Sequence, residues 1–486
     1  MKGIWALKAS SLLIITCFVY SWWQAAPGID DAWLGEHAYW LAQKGFVKSE
    51  LMHGITGQEN RHIVHHKFFT IIGALFIKLF GFSSAVLKSI SLISLIAFLV
   101  VFLRHISKNI GILYAHLGFF LVLVNSLVFE FGFMYRPEIL VMALGFGSYL
   151  LLNFSMRSTA SSKHVLVAGF LAGLAASTHL NGLIYIGAGA GILLWFKSYK
   201  RIPGFLLTSI LGFSVYFFDF TKEFNYNYWL YQINDSPAIY QDTSMPSILH
   251  LLKKILDEQM RFFHSPKEVF FSTLILLSII LNRKEMMKHR ILMLYTGLLI
   301  LGLSILSVNK TSKYLLLYLP FLLLLFIHSF HDIFQGLVTI NPNKLKRRAI
   351  ILAIVIYVFS NFYYDFQIAQ NKFNPQVYRN LSLKYIKENT LQVNILAPMT
   401  YIFNEIKYFN RIQSDLSYAD LQQNSKAHKK INFLSYANNL NMDYLFISDE
   451  YAERFGIKNS SSDQLGQYKY QIVGVEGGIT ILKKMK

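Results

Sequence analysis

The chain has 486 residues, of which 54% are hydrophobic, 16% aromatic and only 15% charged. Soluble domains carry about a quarter charged residues, so this composition excludes the ordinary soluble classes and reads as an integral membrane protein. The formal net charge of +19 includes no basic run long enough to hold nucleic acid, and lysines and arginines flanking membrane spans account for it.

Lys2 and Lys8 precede an apolar run from Ala9 to Trp23, which contains the sole cysteine, Cys17, and so no disulfide framework. Gln24-Ala25-Ala26 has the small residues of a signal-cleavage site. Trp22-Trp23 instead form an interfacial aromatic belt and favour an uncleaved first span. Apolar runs predict spans near 7–25, 84–103, 110–130, 138–155, 164–178, 182–196, 204–220, 268–282, 290–308, 314–333 and 347–365, about eleven in all. With a cytoplasmic N-terminus the inner connections fall at 104–108, 157–163, 197–201, 282–290 and 344–348, and each is basic. The same alternation puts the C-terminus outside.

The apolar stretch 68–81 is too short to cross a bilayer and is interrupted by Lys78, so it reads as a surface-lying or re-entrant helix. Residues 26–83 are then one large outer loop with two juxtamembrane helices. A second outer loop, 221–267, carries the aromatic cluster Tyr226-Asn227-Tyr228-Trp229 and the pair Lys253-Lys254. Beyond Asp365 apolar density falls. Strands are expected at 393–397 and 444–447 with a helix at 400–408 between them, and a hairpin at 468–473 and 479–482. The expected architecture is a polytopic all-α membrane domain over 1–366 and a small extracytoplasmic α/β domain over 367–486. The expected location is a bacterial inner membrane, with the second domain periplasmic.

The first outer loop has the composition of a site. Asp30 and Asp31 follow the first span, with Glu36 beyond them. At a helix start the macrodipole favours anions, so either aspartate serves equally as cap or as catalytic base from spacing alone. Arg61-His62-Ile63-Val64-His65-His66-Lys67 follows. His65 and His66, with Glu59 nearby, are candidate ligands for a divalent metal, although no accepted ligand spacing matches. Lys67 opens the surface helix, where its ammonium meets a lipid phosphate or simply snorkels. On the same predicted leaflet lie Tyr135-Arg136-Pro137-Glu138, the turn with His179 and Asn181, and Lys310-Thr311-Ser312-Lys313-Tyr314. Carboxylates and cations converging at one interface suit sugar transfer from a phosphate leaving group: a base takes the acceptor proton, and cations stabilise the departing charge.

This pattern resembles the C-type glycosyltransferase superfamily, in its branch of protein O-mannosyltransferases and lipid A aminoarabinose transferases. The resemblance runs over residues 1–335. It rests on Ile29-Asp30-Asp31-Ala32-Trp33-Leu34-Gly35-Glu36, on His66-Lys67-Phe68-Phe69 leading to Leu79-Phe80-Gly81, on Arg136-Pro137-Glu138, on the Gly-rich stretch ending at Asn181, and on Lys313-Tyr314-Leu315-Leu316 with Pro320. It implies an inverting transferase that uses a polyprenyl-phosphate sugar, with a glycan, lipid or protein as acceptor. It implies Asp30 as the base, and Lys67, Arg136, Lys313, Tyr314 and Lys310 around the donor phosphate. The family's double proline is missing after His66, its second acid is shortened to Asp31, and its late arginine is Lys313, which loses bidentate phosphate geometry. The rival readings are a flippase or transporter of the lipid-linked sugar and a ligase of whole glycans. A transporter would carry ionisable groups at mid-span. Lys88 and His116 are the few such groups, and both sit near the ends of their runs.

Overall fold

The computed structural model describes residues 2–157, 162–235, 247–307, 310–335, 344–370, 372, 376–423, 432–458 and 462–485. The chain enters through helix α1 (Lys2–Gln24) and then forms the two helices expected in the first loop, α2 (Ile29–Lys44) and α3 (Lys67–Phe80). α3 buries Lys67, Phe69, Thr70, Gly73, Ala74 and Ile77 and exposes Leu75, Leu79 and Phe80, the two-faced pattern of a helix lying along a membrane surface.

The bundle continues through α4 (Ser84–Asn109), α5 (Ile112–Leu123), α6 (Ser126–Phe131), α7 (Glu138–Arg157), α8 (Lys163–Thr178), α9 (Leu183–Trp195) and α10 (Ile202–Phe213). Ser83 caps α4, its hydroxyl accepting the Val86 N–H. Contrary to the expected inner connection at 104–108, α4 runs on to Asn109, because that segment holds no helix breaker and the chain turns only at Gly111, with φ of +134°. The expected span 110–130 is two helices. Asn125 breaks it: its side chain accepts the Val128 N–H and donates to the Tyr357 hydroxyl, and Asn361 accepts the Ser126 N–H. The expected span 204–220 also ends early, in a tight 3-10 turn after α10 that leaves Asp219 in a loop. α8 and α10 touch backbone to backbone at Gly173, where a Cβ would overlap the Ser209 carbonyl oxygen.

The second loop is more helical than its polar composition suggests. It forms α11 (Tyr226–Asn234), α12 (Ser247–Leu256) and α13 (Gln259–Phe262), then enters α14 (Pro266–Leu281) across a bend of 100°. Pro at the first turn and Glu268, which accepts the Ser265 N–H, start α14 afresh. α15 (Arg283–Met286), α16 (Arg290–Leu306), α17 (Leu319–Gln335) and α18 (Lys344–Gln370) complete the bundle.

Among the described residues four helices are long and apolar enough to cross a bilayer: Ser84–Asn109, Glu138–Met156, Arg283–Leu306 and Lys344–Gln370. The bent pair Ile248–Phe262 and Pro266–Leu281 makes a fifth if it is one span, and shorter apolar helices lie between them. The outward faces of α4, α10 and α18 carry exposed Ile93, Ile96, Val100, Leu207, Ile210, Leu352 and Phe359, an apolar girdle that water would penalise and lipid accommodates. The protein is an integral membrane protein.

The chain closes in a five-stranded sheet of order β2-β1-β3-β5-β4, built from β1 (Asn394–Ala397), β2 (Arg411–Ser414), β3 (Tyr444–Ser448), β4 (Tyr470–Glu476) and β5 (Ile479–Lys484). β1 pairs parallel with β2 and β3, and β5 pairs antiparallel with β3 and β4. The helix expected at 400–408 is a 3-10 turn followed by the short helix Ile402–Glu405. One core joins this sheet to the first loop: Ala32, Leu34 and Leu51 pack with Ile395, Phe403 and Ile412. The Ser414 N–H donates to the Leu51 carbonyl at 3.1 Å. The first loop is thus held between the helical bundle and the sheet.

Candidate active site

α2 begins with two aspartates that the fold separates into different environments. Asp31 is 1% exposed; its carboxylate accepts the Gly28 N–H at 2.8 Å and the Tyr135 N–H. Burial pushes its pKa up to about 6, against the pull of those backbone donors and of Lys88. Asp31 therefore caps α2 and ties it to the segment before α7. Asp30, one residue earlier, points out of this contact, with its side chain 47% exposed.

Asp30 faces two cations. Arg136 contacts its Oδ2 directly, and the Lys313 Nζ lies 4.0 Å from the same oxygen. Arg136 is also gripped by Glu138, donating through Nε at 3.2 Å and Nη2 at 2.8 Å, which fixes the guanidinium plane. Ser91 on α4 donates to the Arg136 carbonyl at 3.2 Å. Burial, with Arg136 nearby, lowers the Lys313 pKa. Beside Lys313, the Tyr314 hydroxyl lies 3.2 Å from His179 Nε2, and His179 Nδ1 accepts the Asn181 N–H at 3.0 Å. That backbone donor fixes the tautomer, leaving the Nε2 proton to face Tyr314. His66 stacks on His179 at 4.6 Å between ring centroids. Burial holds both imidazoles neutral, with the His66 pKa lowered to about 4.

Asp30, Arg136, Glu138, Lys313, Tyr314, His179, Asn181 and His66 therefore converge at one end of the bundle. The other sequence candidates do not join them. Lys67 is fully buried, and its ammonium donates to Asp219 Oδ1 at 2.5 Å inside a ring of Tyr216, Phe218 and Phe220. Burial lowers its pKa to about 8, and Asp219 opposes the shift. His65 shares that partner, with Nε2 2.9 Å from Asp219 Oδ2 and Nδ1 3.1 Å from the Thr70 hydroxyl. Both ring nitrogens of His65 are thus occupied, and among the described residues no group of three ligating side chains is placed to hold a metal ion. Lys310 is likewise bound, donating to Glu258 at 3.0 Å, which also accepts from Arg261 at 2.8 Å and from Tyr318 at 2.7 Å. Glu36 accepts from Ser49, Trp40 and the Glu50 and Leu51 N–H groups, and so pins the loop after α2.

Sequence reasoning missed Asp219, Glu258 and Arg261. Asp219 carried a usable signal: a lone acid in Phe217-Phe218-Asp219-Phe220 needs a buried cation. Glu258 borders an apolar cavity of about 600 Å³ between α12, α14, α16 and α17, lined by Phe262, Ile275, Met293, Ile300, Leu322 and Leu325. From Glu258 the polar contacts lead on: Arg261 donates to the Thr311 carbonyl at 2.7 Å and lies over the Tyr314 ring, beside Lys313. The apolar cavity and the cationic site are thus neighbours.

No family model matches the chain, and no curated protein matches it by sequence. Solved structures match its fold along its whole length. ArnT from Cupriavidus metallidurans bound to undecaprenyl phosphate aligns with a TM-score of 0.61 at 11% identity, over 98% of this chain and 97% of that one. The oligosaccharyltransferase of Archaeoglobus fulgidus in its apo form aligns at 0.59 and 11% identity, over 97% of this chain and 72% of that one. The same archaeal enzyme, AglB, in complex with an inhibitory peptide and a dolichol-phosphate, aligns at 0.53 and 12% identity over 99% and 74%. The chain has the fold of the C-type glycosyltransferases.

Proposed function

We propose that the protein is an inverting glycosyltransferase that moves a sugar from a polyprenyl-phosphate carrier to an acceptor hydroxyl, with Asp30 as the base. The observation that carries this reading is the pairing of a half-exposed carboxylate, Asp30, with Arg136 and Lys313 beside an apolar cavity of about 600 Å³. A polyprenyl chain needs an apolar trough, and its phosphate needs cations at the trough's polar end. The solved relatives bound to undecaprenyl phosphate and to a dolichol-phosphate support the same donor class.

The donor phosphate engages Arg136 and Lys313, and by taking up those cations it releases Asp30 from ion pairing. Asp30 then accepts the proton of the acceptor hydroxyl as that oxygen bonds to the anomeric carbon from the face opposite the phosphate. The bond from that carbon to the phosphate oxygen breaks, and polyprenyl phosphate departs with the electron pair. Arg136 and Lys313 stabilise the charge that grows on it. Glu138 keeps Arg136 in plane, and Tyr314 with its partner His179 fills the wall beside Lys313. Lys67, bound by Asp219, orients the start of α3 and does not touch the phosphate. The sheet domain lies over the first loop, where an acceptor would enter.

The test is transfer of radiolabelled sugar from a polyprenyl-phosphate donor in proteoliposomes. Asp30→Asn is expected to lower transfer by about 10²–10⁴, the usual contribution of a positioned base. Transfer at the wild-type rate overturns the role of Asp30. Counterflow of lipid-linked sugar without any transferred product would replace the transferase by a flippase.

A further inference from the structure

The end of the bundle away from Asp30 holds a second cavity, of about 470 Å³, between α4, α7, α16 and α17. Lys88 lies at the Asp30 end of α4, donating to the Ala25 carbonyl, and Asn109 of the cavity lies about 30 Å farther along the same helix. Asn109, Asn153, His289 and His328 line the cavity with polar groups, joined by the exposed Lys288 and Arg290; Asn109 also donates to the His105 carbonyl at 2.7 Å. Leucine and isoleucine side chains of α16 and α17 form an apolar wall.

The charge balance favours an anion. Lys288 is 70% exposed and pairs with Glu285 one turn away, a contact that solvent screening weakens. Asp332 lies 3.9 Å from His289 and 3.1 Å from His331. Among the described residues no carboxylate lies within ion-pair distance of Arg290. Arg283, Lys284, Lys346 and Arg347 add positive charge at this end, with Lys346 reaching the Leu281 carbonyl at 3.0 Å. Amides and a guanidinium present N–H donors that suit phosphate oxygens. A free anion would use only the polar groups, whereas a lipid also uses the apolar wall for the first methylenes of its chains. Basic pockets between membrane helices at headgroup depth are suited to acidic lipids.

We propose that this cavity binds the phosphate headgroup of an acidic phospholipid drawn from the leaflet opposite the sugar-transfer site. The lipid bridges four helices, of which α4 carries Ser91, α7 begins at Glu138 and α17 follows the turn that holds Lys313, so it braces the site without entering it. The experiment uses the full chain in a neutral detergent. Phosphatidylglycerol, phosphatidylcholine and inorganic phosphate are titrated separately, with bound lipid read by native mass spectrometry and Tm by fluorescence. Phosphatidylglycerol is expected to be retained and to raise Tm more than phosphatidylcholine or phosphate. The double variant Lys288→Gln, Arg290→Gln is expected to weaken its binding about 30-fold, at about fivefold per cation. The control Arg283→Gln, Lys284→Gln, which leaves the cavity lining intact, is expected to change binding much less. The proposal is overturned if the double variant binds as wild type, if the control loses as much, or if inorganic phosphate alone raises Tm equally.

Discussion

Two adjacent aspartates of one chemical type sit in different environments because α2 turns one inward and the other outward. Removing the Asp31 carboxylate leaves the buried Tyr135 N–H without an acceptor, at about 1–3 kcal/mol, and strands the part-buried Gly28 N–H at less. Asp31→Ala is therefore expected to lower Tm by several degrees in detergent, whereas Asp30→Ala, at a half-exposed position, leaves Tm nearly unchanged while abolishing transfer. Equal losses of Tm would remove the distinction. Arg136 is the other residue whose shape matters, because its fork spans Asp30 and Glu138 at once. Arg136→Lys keeps the charge and loses the fork, and is expected to raise the donor KM about tenfold, in line with one lost charge-assisted bond. Spacing named this constellation as a set of polar residues on one predicted leaflet. It did not separate Asp30 from Asp31, since the deciding partner, the Tyr135 N–H, lies 104 positions away. The Lys67–Asp219 pair was illegible for the same reason: Asp219, 152 positions on, is invisible from the local pattern.

Among the elements, the loop after α2 is fastened by Glu36, which accepts four hydrogen bonds while fully buried. Burial raises its pKa from 4.5 to about 7. Folded Glu36 thus holds its proton more tightly than the unfolded chain does. Its contribution is complete below pH 4.5 and is lost as pH rises through about 7. The wild-type Tm is expected to fall across that window relative to Glu36→Gln, by the equivalent of about 3 kcal/mol at the full shift; parallel curves in thermal unfolding scans would refute it. Helices were legible wherever an apolar run met basic flanks, as at α4, α8, α9, α14, α16 and α18, although α4 overran its expected end. They were misread where the deciding groups are distant. Asn125 splits an apolar run because Tyr357 and Asn361 on α18 satisfy the groups at the break. β2 escaped notice because Arg411-Ile412-Gln413-Ser414 has too little apolar alternation to announce a strand.

For the whole molecule, the sheet domain acts as a brace for the first loop. Phe403 stacks on Phe82 at 5.7 Å and sits where a Cβ on Gly35 would touch it. Phe403→Ala is expected to cost about 3–5 kcal/mol by the cavity it leaves. It should also speed protease cleavage between α2 and α3 and lower kcat for transfer. Unchanged cleavage would make the sheet an independent appendage. The small C-terminal sheet was readable from the drop in apolar density after Asp365, but the joint core of Leu34, Leu51, Ile395 and Phe403 was not, because its residues are distant in the chain. That joint has a temporal consequence. β5, which follows β3 and β4 along the chain, lies inside the sheet between them, and both neighbours lean on it for their hydrogen bonds. During synthesis β3 and β4 emerge without that partner, so the sheet closes only after Lys484 has left the ribosome. The membrane helices are inserted by then, and the sheet that braces α2 is completed after them. A nascent chain would therefore already hold Asp30, Arg136 and Lys313 at one end of the bundle, yet lack the complete sheet against the first loop until synthesis has passed β5.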